Sequence, residues 1–232
     1  MQYADDTALL FAGEDVPILQ ARVQSGLRSL SHYYDNLGIH PNPAKTSCVI
    51  YTKRHRRSPP PPTLQAAILS WSPVAKYLGE HLDAPLTWHH HIAVMVGWAK
   101  ELLSNLSPVL TLACPLSQDD RVCLWRALVL PVLTYTAVVW AYAPPSCYRP
   151  VVWAYNAALR LILGHPCWTV VAALYEMAGV QSPAALIRQL ASRFYPQGAA
   201  HFNPFIAEIG DYDIESPGPH RWIRDFLHDD PP

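Results

Sequence analysis

Four residues near the start of the chain, Tyr3-Ala4-Asp5-Asp6, carry the pattern with the most chemistry in it. Two adjacent carboxylates precede an apolar stretch of Ala8, Leu9, Leu10 and Phe11. A solvated hairpin turn favours Asn-Gly or Asp-Gly, so paired aspartates at the tip of an apolar hairpin are unusual. Held rigidly at the edge of a buried sheet, they would present hard oxygen ligands of the kind Mg²⁺ takes. Two-metal phosphoryl transfer needs such carboxylates to bridge ions roughly 3.5–4 Å apart. An ordinary acidic turn is the competing reading of these four residues taken alone.

The other candidates are weaker. Lys53, Arg54, His55, Arg56 and Arg57 run into Ser58 and four prolines, Pro59 to Pro62. Lysine and arginine in a loop give sequence-independent phosphate contacts. The same run also reads as a nuclear-localisation patch or simply as a solvated loop. His89, His90 and His91 resemble a metal cluster, but neighbours on a helix point apart, and no cysteine or carboxylate stands at ligand spacing. No Ser-His-Asp set, Gly-rich phosphate loop or nuclease motif appears.

These residues need elements to position them. The opening reads as strand, tight turn, strand, over Met1 to Tyr3, Ala4 to Asp6 and Thr7 to Ala12. Val16, Leu19, Val23, Leu27, Leu30, Tyr34 and Leu37 then recur at steps of three and four, which predicts a helix with one apolar stripe. Pro17 is tolerated in its first turn and Gly38 ends it. An extended stretch over Thr46 to Thr52, an exposed loop through the prolines, and extended segments at Ala67 to Trp71 and Ala75 to Leu82 complete an α+β half.

Beyond Pro85 the pattern turns helical. Candidate helices cover His90 to Leu106, Gln118 to Tyr142, Tyr148 to Leu163, Val170 to Ala178 and Pro183 to Phe194. Ser117, Ser146, Thr169 and Ser182 stand as N-caps, and Gly164 and Gly179 sit just past two ends. From Tyr195 onward Pro and Gly recur, and residues 196–232 are expected to form a loosely ordered tail. Residues 127–143 carry no charge, at the short edge of a spanning length; a buried helix kinked at Pro131 is the preferred reading.

Composition limits the function classes. Half of the 232 residues are hydrophobic, with 12 Tyr, 8 Trp and 5 Phe, so a packed core is expected. Only 15% are charged and the net charge is −1, so any electrostatic case for nucleic acid must be local. The five cysteines form no CxxC pair and read as reduced thiols, in a nuclear or cytoplasmic protein. No secretory signal pattern is visible, because Asp5, Asp6, Glu14 and Asp15 crowd the region it would occupy.

Several motifs in order resemble the reverse transcriptases of non-LTR retrotransposons, the jockey-like group in particular. The Tyr3-Ala4-Asp5-Asp6 box followed by Thr7 to Gly13 is similar to that family's catalytic palm hairpin. Leu37-Gly38-Ile39 with Asn42, Lys45 and Thr46 matches the motif that comes after it. Lys76-Tyr77-Leu78-Gly79, then Leu82-Asp83 and Leu86-Thr87-Trp88, is similar to the primer-grip hairpin and thumb entry. Pro131, Tyr135 and Trp140, and Asn156 to Arg160 with Gly164, match the thumb. The resemblance covers about Met1 to Leu190.

It implies residues 1–85 as the end of a palm, 86–195 as a helical thumb and 196–232 as a tail. It implies Asp5 as the principal Mg²⁺ ligand, with Asp6 the second carboxylate. Tyr3 and Ala4 would lie along the primer terminus, and Lys45 would protonate the leaving pyrophosphate. Tyr77, Leu78 and Gly79 would seat the primer strand, on an RNA template with a DNA primer. In that family the fingers and another palm aspartate come earlier, so the chain is expected to be a C-terminal fragment, inactive alone, whose missing partner is that upstream segment. A non-catalytic nucleic-acid- or protein-binding module kept from a dead element is the alternative, and a relic that never folds stably is a third.

Overall fold

Residues 2–3, 5–52, 58–140 and 145–207 are described in a computed structural model of the chain. The chain divides into two units, Met1–His91 and Ile92–Pro232, and its class is α+β.

In the first unit, β1 (Gln2–Tyr3) pairs antiparallel with β2 (Asp6–Thr7), Gln2 opposite Thr7 and Tyr3 opposite Asp6. Helix α1 (Val16–Asn36) comes next. Asp15 caps it, its side chain accepting from the Ile18 amide at 2.9 Å, and Pro17 sits in the first turn, where its missing N–H leaves no bond unmade. The apolar stripe buries Leu27 and Tyr34 but leaves Leu37, the C-cap residue, exposed. The stripe therefore ends one turn sooner than its periodicity predicts. Leu27, Leu64 and Leu69 form the core of this unit, with Val23 and Cys48 packed against them.

The extended segments do not join into one sheet. β3 (Thr63–Leu64) pairs with β4 (Ala67–Ile68), and β5 (Val74–Tyr77) pairs with β6 (Glu80–Asp83), giving three separate two-stranded ladders among the described residues. Alternation over residues 75–82 reads as one strand, yet the chain reverses at Leu78–Gly79. Both residues take positive φ, +48° and +83°, as a two-residue hairpin turn of matching twist requires. Residues 46–52 contribute a single bridge, Cys48 to Trp71, in place of the expected strand.

The proline loop is tethered where exposure alone was expected. Trp71 Nε1 donates to Pro59 O at 2.7 Å and Gln20 Nε2 to Pro60 O at 3.3 Å. Gln24 accepts from the Thr63 amide at 3.0 Å and donates to the Thr63 carbonyl at 2.9 Å. One glutamine side chain thus does for Thr63 what a neighbouring strand would do. Prolines cannot supply ladder donors, so the helix supplies partners instead. Lys53 to Arg57 lie outside the described residues.

The passage from β6 into helix α2 (His89–Leu110) turns on one carboxylate. Asp83 is 8% exposed and accepts from the Thr87 amide at 3.0 Å, the Thr87 hydroxyl at 2.5 Å and the Trp88 amide at 2.9 Å. The Thr87 hydroxyl in turn accepts from the His89 amide at 3.5 Å. Leu86 and Trp88 both sit at positive φ, +52° and +66°, which costs roughly 1–2 kcal/mol for each residue with a Cβ. Charge-assisted bonds to Asp83 offset that strain. Burial alone would raise its pKa, but the bonds from Thr87 and Trp88 outweigh burial and hold the carboxyl below its ordinary value.

Among the described residues of the second unit every regular element is a helix. In α2, Pro108 cannot bond the Ser104 carbonyl, and the Ser107 hydroxyl takes that carbonyl at 2.8 Å. The single helix expected over Gln118 to Tyr142 is three: α3 (Gln118–Leu128), α4 (Leu130–Leu133) and α5 (Ala137–Trp140). Pro131 removes one ladder donor, Thr134 Oγ1 donates back to Leu130 O at 2.9 Å, and Thr136 takes a φ of +49°. No single described helix is long and apolar enough to cross a membrane; the stretch is bent by 41° at the α3–α4 break. Its apolar side, from Val122, Trp125 and Val129 to Leu133, Ala137 and Trp140, is buried.

Helix α6 spans Pro145–Leu163, α7 Val171–Met177, α8 Pro183–Ala199 and α9 Pro204–Ala207. Helical structure therefore runs past Tyr195. Ser117 and Ser182 cap α3 and α8 as expected, accepting from Asp120 and Ala185. Ser146 instead lies inside α6, where Pro145 takes the first position, and Val170, with no side-chain cap bond, stands at the α7 start in place of Thr169. Trp125 stacks edge-on against Tyr155, whose hydroxyl donates to Gln181 O at 2.7 Å, and Tyr175 donates to the buried Asn156 at 2.8 Å.

Two substitutions test these constraints. Gly164 ends α6 at a φ of +67°, and a Cβ there would lie 2.2 Å from Leu112 Cδ1. Gly164→Ala should cost roughly 1–2 kcal/mol for backbone strain alone, with Leu112 displaced in addition, and lower the melting temperature by roughly 2–4 °C per kcal/mol. Asp83→Asn should cost about 1.5–3 kcal/mol at neutral pH. Because the folded-state pKa of Asp83 is depressed, that advantage of the native chain is present above the unfolded carboxyl value near ~3.9 and lost as pH falls through the folded value. Urea unfolding of both chains across acid pH should show the two stabilities converging.

Candidate functional site

Asp5 occupies the turn between β1 and β2, and Asp6 is the first residue of β2, opposite Tyr3. The sequence places both aspartates in the turn; the ladder takes Asp6 as its last pair. Both side chains are exposed. Successive strand residues face opposite ways, so Asp6 and Thr7 project from opposite faces of the hairpin. Thr7 Oγ1 meets the Tyr34 hydroxyl at 2.5 Å, which ties that face to α1 and turns Asp6 away from the helix. Ala4 lies outside the described residues.

A second tie holds the same segment. Phe11 packs against Gly26 in the middle of α1, and a Cβ at Gly26 would stand 2.4 Å from the ring. Glycine inside a helix costs roughly 1 kcal/mol relative to alanine, and here the bare backbone is a seat for the aromatic ring. The mid-helix glycine is the sequence signal for this contact, and the apolar stripe does not reveal it.

The donor set suits a hard divalent cation in kind, two carboxylates on one rigid turn. In number it is short: among the described residues no group of three or more His, Cys, Asp or Glu side chains converges to hold a metal ion. The histidines obey the same rule. His91 is fully buried, and its Nδ1 accepts from the His81 amide at 3.3 Å. His90 is exposed, and its ring lies 5.2 Å from that of His81. Burial first, then the charges of His90 and Lys76, lower the His81 pKa.

Lys45 ends a 3-10 turn, Pro43–Lys45, that Asn42 caps by accepting from the Ala44 amide at 3.0 Å. Its side chain is exposed, and among the described residues no ion pair joins it to Asp5 or Asp6. Tyr77, Leu78 and Gly79 form the tip of the β5–β6 hairpin, with Tyr77 half-buried opposite Glu80 and Leu78 exposed. The residue that sequence reasoning left without a role is Asp83, which stands in the same motif and fixes the backbone between the hairpin and α2. Its signal was available: an aspartate four and five residues before Thr87 and Trp88, ahead of a helix.

No model of a protein family matches the chain, and no solved structure does. Similar proteins are nevertheless known. The RNA-directed DNA polymerase from mobile element jockey of Drosophila funebris is 24% identical over 222 residues, 96% of this chain and 24% of that protein. Its Drosophila melanogaster counterpart is 22% identical over the same share of each. The probable RNA-directed DNA polymerase from transposon BS of Drosophila melanogaster is 25% identical over 194 residues, 83% of this chain and 21% of that protein. The chain thus spans about a quarter of the length of the curated relatives it matches. Over most of its length it is a homologue of one segment of the RNA-directed DNA polymerases of jockey-like non-LTR retrotransposons.

Proposed function

We propose that this chain supplies the primer-end part of an RNA-directed DNA polymerase, with residues 1–85 as the last portion of the palm, 86–195 as the thumb and 196–232 as its tail. The observation that carries the reading is the Asp5–Asp6 hairpin, two exposed carboxylates at a turn tied to α1, in a chain related to such polymerases. Asp5 is the principal Mg²⁺ ligand and Asp6 the second. A divalent ion bound there contributes charge stabilisation to phosphoryl transfer.

The other roles fall to this chain's own side chains. Tyr3 and Ala4 lie along the primer terminus, paired with an RNA template. Lys45 gives a proton to the pyrophosphate oxygen as it leaves, a role its exposed ammonium suits once a substrate phosphate is near. Tyr77, Leu78 and Gly79 seat the primer strand, and Lys53, Arg54, Arg56 and Arg57 contact phosphates. The place of work is the nucleus or cytoplasm.

One hairpin offers ligands from one side only, and a bridged ion pair needs a carboxylate from a second strand. The 232 residues therefore require the remaining polymerase segments, fingers and earlier palm aspartate included, for catalysis. The two-carboxylate set, without a third ligand among the described residues, equally suits a second reading, a binding module without catalysis.

Primer extension on an RNA template with Mg²⁺ separates them. The 232-residue chain should extend nothing by itself, and the same chain joined in frame to the upstream portion of a related polymerase should extend the primer. Asp5→Asn in the joined enzyme should abolish extension, a loss of at least roughly 10³-fold, since the amide keeps the shape without the charge that holds the ion. Robust extension by the 232 residues alone would overturn the requirement for the upstream segment. Full activity of the Asp5→Asn enzyme would overturn the metal assignment.

A further inference from the structure

The hairpin assigned above to the primer strand is fixed at its base by two side chains that have no part in the chemistry. β5 and β6 pair from Tyr77–Glu80 at the tip to Val74–Asp83 at the base. At the base, the Asp83 carboxylate takes the Thr87 and Trp88 amides and the Thr87 hydroxyl. Two residues nearer the tip on the same strand, the His81 amide donates to Nδ1 of His91, in the first turn of α2. Asp83 and His91 are both buried, and Trp88, 4% exposed, packs edge-on against the His91 ring. β6 is therefore bound to one short segment, residues 87–91, at two points. A two-stranded ribbon standing alone is marginal in water, so its direction is set by whatever grips its base.

We propose that Asp83 and His91 are positioning residues for the tip Tyr77–Leu78–Gly79, fixing the angle at which that tip meets a primer strand. This rests on the primer-strand reading for its functional half, while the rigidity of the tip stands on the hydrogen bonds alone. Loss of the carboxylate should free the tip without dissolving the unit's apolar core, because Leu27, Leu64 and Leu69 lie in a separate cluster.

The test uses the 232-residue chain and two readouts. ¹⁵N relaxation tracks the Gly79 amide, with the Leu27 and Leu69 amides as internal controls. Fluorescence anisotropy with a labelled RNA–DNA primer hybrid reads binding. In the native chain the Gly79 order parameter should match rigid backbone, about 0.85; in Asp83→Asn it should fall below about 0.6 while the controls hold. Hybrid binding should weaken roughly tenfold. Thr87→Ala removes one of the three bonds and serves if Asp83→Asn does not fold; it should give an intermediate loss of order and a roughly threefold loss of binding. An unchanged Gly79 order parameter in the folded variants overturns the positioning role. A mobile tip with binding unchanged overturns its link to the primer. If the native chain binds no hybrid at all, the primer-strand reading itself falls, and the relaxation data, with His91→Ala measured alongside Asp83→Asn, alone decide whether Asp83 and His91 hold the tip.

Discussion

A buried carboxylate that accepts from two backbone amides and one hydroxyl just ahead of a helix is the constraint on which the described end of the first unit depends. Asp83 sits where desolvation works against its charge, yet its pKa moves down, so the bonds it accepts exceed the burial penalty. Those bonds do two jobs at once. They satisfy amides ahead of α2 that no helical carbonyl can reach, and they hold Leu86 and Trp88 in left-handed backbone that each would otherwise leave. A neutral acceptor could do the first job; the second needs the extra strength of a charged one.

The carboxylate pair at the other end of this unit is built on the opposite principle. Asp5 and Asp6 have exposed side chains, and the contacts that tie their hairpin to α1 come from neighbours, through Thr7 on Tyr34 and Phe11 on Gly26. Exposed carboxylates on a tied hairpin are the arrangement that the proposed ligand role asks for. Asp83 uses the same side chain the other way, buried and bonded to the chain itself.

What could be read in the sequence divides along physical lines. Local signals were legible: α1 with its glycine stop, the serines ahead of α3 and α8, and the glycines after α6 and α7 all depend on residues within a turn of one another. The acidic hairpin was legible for the same reason. Periodicity failed where a rule of period two or 3.6 met a competing contact. Residues 75–82 alternate like one strand and fold back at Leu78–Gly79, and 118–142 keep a helical stripe through breaks that Pro131, Thr134 and Thr136 impose. Long-range side-chain bonds were invisible in principle: nothing in the spacing says that Gln24 will complete the backbone of Thr63, 39 residues on.

Two of the tight turns of the first unit strain residues that carry a Cβ. Gln65–Ala66, between β3 and β4, and Leu78–Gly79, between β5 and β6, place non-glycine residues in left-handed backbone, at roughly 1–2 kcal/mol each. At the first turn the strained residues are a polar and a small one. At the second, a leucine holds the left-handed position and stays 39% exposed, though Asn or Gly would sit there with less strain and without apolar surface in water. The strained leucine stands at the tip of a ribbon whose strand β6 is bonded at its base through the Asp83 carboxylate, so the backbone of the tip and its anchorage are set by separate contacts.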